Sequence, residues 1–161
     1  MTDGGDRPRW LAVGIGNPDR QDDGVGPAIA RRVGALGLPA AECPTPLEIL
    51  DRLDAGLDGV IVADAVTAGA AAGTVHIRDL GRQPLPDGWV AGTHDFGLAA
   101  TLELAANLGR LPAHVVMVGV EAAGFTLGTP MSPAVRAAID QATGVVARLL
   151  RAEGSAADVP G

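Results

Sequence analysis

Short apolar runs alternate with segments of helical period along the 161-residue chain. Residues 10–15 form an apolar run that feeds a loop rich in Gly and Asp, which predicts a buried strand followed by a functional turn. Pro27 after Gly26 suits the first helical position, and residues 28–36 continue as a helix ended near Gly37. Residues 39–46 read as extended, and Leu47, Leu50, Leu53 and Leu57 then form a helical stripe. Residues 59–64 have the pattern of a central parallel strand with Asp64 at its C-terminal end, whereas residues 73–78 alternate like a strand nearer the sheet edge. After a Pro- and Gly-rich loop, Thr93 can cap a helix from His94 to about Leu108, closed by Gly109. Residues 114–120 form another buried strand. Ser132-Pro133 then opens a helix whose apolar positions Val135, Ile139, Ala142, Val146 and Leu149 carry the clearest helical period in the chain. Strands alternating with helices predict a mostly parallel sheet sandwiched between helices, in one domain spanning residues 1–161 with 1–8 and 154–161 as frayed tails.

Composition narrows the function classes. Hydrophobic residues at 47% and charged residues at 19% exclude a disordered chain. Aromatics are 2%, so platforms for stacking bases are not expected, and a formal charge of −7 opposes binding to phosphate backbones. The single Cys43 excludes an internal disulfide and any multi-cysteine metal centre. No signal peptide or membrane span is expected, which points to a soluble, cytoplasmic protein without a membrane or nucleic-acid partner.

Three positions could carry chemistry. Asp22 and Asp23 are adjacent carboxylates framed by Gly14, Gly16, Gly24 and Gly26, immediately before a helix whose dipole favours their ionised form. A dinucleotide fingerprint is the weaker reading, because its third glycine position holds Asp19. Asp64 ends an apolar strand, where open α/β sheets place their ligands. His94, at a helix start, is held neutral and able to bind a metal. A capping role is the plain alternative for each; His76 and His114 read as surface or strand-end residues. Asp23, Asp64 and His94 together make a one-His, two-carboxylate set, suited to a borderline divalent ion such as Ni²⁺, Zn²⁺ or Mn²⁺.

The ordered motifs Gly14-x-Gly16-Asn17, Asp22-Asp23-Gly24-x-Gly26, Val-Ala-Asp64-Ala, Gly92-Thr93-His94-Asp95, Val118-Gly119-Val120 and Met131-Ser132-Pro133 resemble the NiFe-hydrogenase maturation endopeptidases. The resemblance implies a three-layer α/β sandwich of the phosphorylase/hydrolase-like type, with a twisted five-stranded sheet. It implies an endopeptidase, aspartic-type or metal-assisted, that removes the C-terminal extension of a hydrogenase large-subunit precursor after nickel insertion. Asp23, Asp64 and His94 fall on the family's metal-contacting positions. Ni²⁺ is then recognised in the substrate, and Zn²⁺, Cd²⁺ or Mn²⁺ could occupy the site in the isolated protein. No Ser or Cys stands beside a matching His, so water is the expected attacking group, activated by a metal or by a carboxylate.

The stretch 42–48 departs from the family, which often carries an acidic residue, two glycines and Thr there; Pro44 and Pro46 stand in their place and leave substrate identity open. Two alternatives remain. The Gly14-Ile-Gly-Asn-Pro18 opening also resembles peptidyl-tRNA hydrolases, but an acidic chain suits tRNA poorly. A non-catalytic, nickel-sensing chaperone that binds the precursor would need a similar set of ligands.

Overall fold

The computed structural model describes residues 7–54, 56–81, 90–91 and 97–154. The strands are β1 (Trp10–Ile15), β2 (Ala40–Cys43), β3 (Gly59–Thr67), β4 (Val75–Asp79), β5 (Val90–Ala91) and β6 (His114–Glu121). The helices are α1 (Val25–Ala35), α2 (Leu98–Asn107) and α3 (Pro133–Gly154), and the short 3₁₀ segments Gln21–Gly24 and Pro46–Asp51 complete the described elements.

Five strands lie in the order β2-β1-β3-β6-β4. The pairs β1–β2, β1–β3 and β3–β6 are parallel, while β4 runs antiparallel to β6 at the edge. This is the mostly parallel α/β sheet that the residue pattern predicts. The alternating segment is its edge strand. The two-residue β5 joins antiparallel to the end of β3, at Val66 and Thr67.

Two apolar layers hold the sheet between its helices. On one face Ile61, Ala63, Val118 and Val120 meet Val25, Ile29 and Val33 of α1 and Val135, Ala142 and Val146 of α3. On the other, Val60, Val62, Val66 and Met117 meet Leu98, Leu102 and Ala105 of α2 and Ile49 of the 3₁₀ turn. Eight of the nine residues of β3 are buried, which its continuous apolar run requires of a central strand. Trp10 closes the amino end of the sheet and stacks on His114 with ring centroids 5.7 Å apart. Among the described residues no helix is long and apolar enough to cross a membrane.

Several local expectations change. The stripe Leu47 to Leu57 is not an α-helix: six residues form a 3₁₀ turn, in which successive side chains step by about 120°. Ile49 and Leu53 therefore face the core, and Leu47 is half exposed. Helix α1 opens at Val25, two residues before Pro27. Helix α2 starts at Leu98 after an extended Gly97, not at His94, although Gly109 closes it at φ 69° as expected. The period in α3 holds through Val146, beyond which Leu150 is buried in preference to Leu149. Of the tails, residues 1–6 and 155–161 lie outside the described residues.

Candidate active site

Strand β1 leads to β2 on one side, and β3 lies on the other, so the strand order reverses between β1 and β3. Outside the carboxyl ends of those two strands lies the crevice where doubly wound sheets bind ligands. The turn from β1 into α1 enters it. Gly16 adopts φ 145°, and a side chain there would strike the Asp23 main chain. Gly14 and Gly26 bring β1 and α1 into backbone contact, since a Cβ on Gly14 would collide with the Gly26 carbonyl.

The aspartate doublet divides. Both residues are fully buried. Asp22 Oδ2 accepts hydrogen bonds from the N–H groups of Ala123 (2.8 Å) and Gly124 (3.1 Å) and from the Ser132 hydroxyl (2.8 Å). Its Oδ1 accepts from the Ser132 N–H at 2.7 Å. Asp23 turns the other way, and its Oδ2 accepts from the Asn17 N–H at 2.8 Å. Gln21 precedes them at φ 51°, a left-handed conformation that costs a non-glycine residue about 1 kcal/mol or more. Its amide is engaged at both ends, by the Thr126 N–H and by the Ser132 hydroxyl.

Asp64 is also fully buried, but it does not end its strand as expected. Pairing of β1 with β3 stops at Gly14–Ala63, while β3 continues against β6 and β5 to Thr67. Asp64 therefore stands one residue beyond the last β1 pair, still within the sheet. Its Oδ1 accepts from the Ala65 N–H at 2.8 Å, and Oδ2 has no hydrogen-bond partner among the described residues. Burial first, and the neighbouring Asp23 charge second, push its carboxyl well above the ordinary carboxylate range; the Ala65 N–H opposes both. Asp23 is thus near enough for its charge to act on Asp64. Two such carboxylates, one with an unengaged buried oxygen, fit a hard or borderline divalent cation, whose charge would offset their repulsion.

His94 lies outside the described residues. Among the described residues no three His, Cys, Asp or Glu side chains gather closely enough to hold a metal. Cys43 is buried in the apolar layer beneath α2, and burial pushes its thiol up, which leaves it a poor nucleophile.

Glu121, at the end of β6, escaped the sequence reading. It is 2% exposed. Oε1 accepts from the N–H groups of Ala68 (2.9 Å), Gly69 (2.9 Å) and Ala70 (3.1 Å), and Oε2 lies 3.1 Å from Nε2 of His76. The signal that could have found it is the one that found Asp64: a carboxylate closing an apolar strand. His76 is thus a partner of that anchor, and His114 is the exposed stacking partner of Trp10.

The mostly parallel sheet, with helices on both faces and a buried acid pair beside its switch point, defines an α/β protein of the doubly wound class. The family model for HycI, hydrogenase maturation protease, matches residues 45–149, and the chain belongs to this family of endopeptidases. No curated protein matches the sequence. Among solved structures, the NiFe hydrogenase maturation protease HybD from Thermococcus kodakarensis shares 24% identity at a TM-score of 0.76, over 88% of this chain and 99% of that one. The hydrogenase maturating endopeptidase HybD from E. coli shares 27% at 0.67, over 89% and 92%. HycI from Thermococcus kodakarensis KOD1 shares 21% at 0.71, over 91% and 95%.

Proposed function

We propose that this endopeptidase removes a C-terminal extension from a hydrogenase large-subunit precursor, that it acts once nickel is in the precursor, and that it does so in the cytoplasm. Membership of the maturation family supports a precursor as substrate. The observation that carries the chemistry is the fully buried Asp23–Asp64 pair at the switch point, with Asp64 held toward its neutral form. In this reading Asp23 and Asp64 supply two oxygens to a divalent ion and His94 supplies a nitrogen.

A cation at this site supplies polarisation of a carbonyl or of a water. With no cation facing it, Asp64 is held toward its protonated form by burial and by the Asp23 charge. Nickel presented by the precursor belongs to the substrate; its charge would favour the doubly ionised pair, with that proton passing to water. An ionised carboxylate oxygen can then take a proton from the attacking water as its oxygen bonds to the scissile carbonyl carbon. The C–N bond breaks, and the leaving amine takes the proton that the carboxyl received from the water. An unloaded precursor would leave the pair protonated and the water unactivated, which ties cleavage to nickel.

The test is mass spectrometry of nickel-loaded and nickel-free precursor after incubation with the purified protein. Catalytic shortening of the loaded form alone is expected, together with its loss in Asp23→Asn and His94→Ala. Cleavage retained by His94→Ala would remove that residue from the site. Stoichiometric binding without shortening would favour the chaperone reading.

A further inference from the structure

The partners of the clamp around Asp22 lie 101 to 110 residues further along the chain. Among the described residues, every hydrogen bond to the Asp22 carboxylate comes from the segment that leaves β6 and enters α3. The same segment is joined twice more through the backbone: Asp22 N–H donates to the Gly124 carbonyl at 3.2 Å, and Gly128 N–H to the Asp19 carbonyl at 2.8 Å. Gln21 closes the network by accepting from the Thr126 N–H and donating to Ser132 Oγ. Two loops distant in sequence are thus locked into one body, and Asp23 is the next residue on it.

In a 3₁₀ turn consecutive side chains diverge by about 120°, so the direction of one sets that of the next. Asp22, once anchored by four donors, leaves Asp23 pointing away from α3 and toward Asp64. The left-handed Gln21 belongs to the same device, since its strained conformation persists where both ends of its amide are held. We infer that Asp22 is a positioning residue for the peptidase reaction: through Ser132 and the 123–124 backbone it aims the Asp23 carboxylate at Asp64. This rests on the proposed role of the Asp23–Asp64 pair.

The experiment compares Asp22→Asn, Ser132→Ala, Ser132→Thr and Asp23→Ala, each checked for folding by circular dichroism and thermal melting. Cleavage of nickel-loaded precursor is resolved into kcat and KM, and Mn²⁺ binding to each protein is measured by calorimetry. Asn at position 22 must turn an amide N–H toward at least one donor. Misplacement of a reacting group by about 1 Å costs about 10²-fold. A kcat fall of about that size is expected for Asp22→Asn and of about tenfold for Ser132→Ala, with KM within about twofold. Mn²⁺ affinity falls in parallel in both. Ser132→Thr keeps the hydroxyl and restores both readouts. If Asp22→Asn and Ser132→Ala lower the melting temperature but leave kcat and Mn²⁺ affinity of the folded protein intact, the clamp merely supports the fold and the inference is overturned. Full cleavage by Asp23→Ala would instead overturn the active-site reading on which it rests.

Discussion

Asp22 and Asp64 are equally buried, at 0% exposure, yet the chain treats them in opposite ways. Four donors converge on Asp22, and Glu121 likewise gathers three consecutive backbone N–H groups. Asp64 receives one backbone N–H and faces a second acid. A buried carboxylate surrounded by donors joins loops; one left short of donors beside a like charge is held in reserve for a proton or a cation. On the proposed mechanism, the contrast separates the buried acids that build the site from those that act in it.

The largest effect that sharpens this contrast is catalytic. Asp64→Asn should lower precursor cleavage by about 10³-fold, the range of a lost acid–base group, with the circular dichroism spectrum unchanged. Near-normal turnover would place Asp64 among the structural acids. Next comes stability: Glu121→Ala strands three backbone donors and should cost about 3 kcal/mol, or about 10 °C in melting temperature. Somewhat smaller is the response to a divalent ion. At about 100 times its dissociation constant, Mn²⁺ should stabilise the wild type by about 2.7 kcal/mol, with proton release seen in buffers of different ionisation enthalpy. Asp64→Asn should lose most of that gain.

The smallest effect is also the one of opposite sign. Asp64 has a raised pKa, so between the ordinary carboxylate value of about 3.9 and its raised value the folded chain binds more protons than the unfolded chain. The stability it contributes is fully present below about pH 3.9 and is lost as the pH rises through the raised value. Asp64→Asn should therefore melt a few degrees higher than the wild type at pH 7.5, and the gap should narrow on acidification. A lower melting temperature for the variant at pH 7.5 would contradict the assignment of Asp64 as an acid held against its own burial.

What the sequence reveals of this arrangement follows the range of the interactions involved. The strands show as apolar runs, and the glycine frame around the doublet marks the turn, because those signals are local. The registers are not local. Asp64 reads as a strand end because the apolar run stops there, whereas β3 goes on pairing with β6 and β5 past the end of β1. Spacing cannot say which of two adjacent acids faces the crevice, since the donors that claim Asp22 lie more than 100 residues away. Glu121 is hidden for the same reason: its backbone partners precede it by 51 to 53 residues. The Leu47–Leu57 stripe misleads in a different manner. Its leucines recur at helical intervals, but the helical residues are only Pro46–Asp51 and they wind as 3₁₀.

The contact between Gly14 and Gly26 carries one more consequence. The eleven residues between them form a closed Ω-shaped loop whose neck is two backbones touching, with no side chain to prise them apart. Joining the ends of a flexible loop costs conformational entropy, and here that loss is incurred as the chain folds. If Asp23 acts as proposed, a substrate arriving there finds a loop already closed, and the energy of its binding remains available for the reaction.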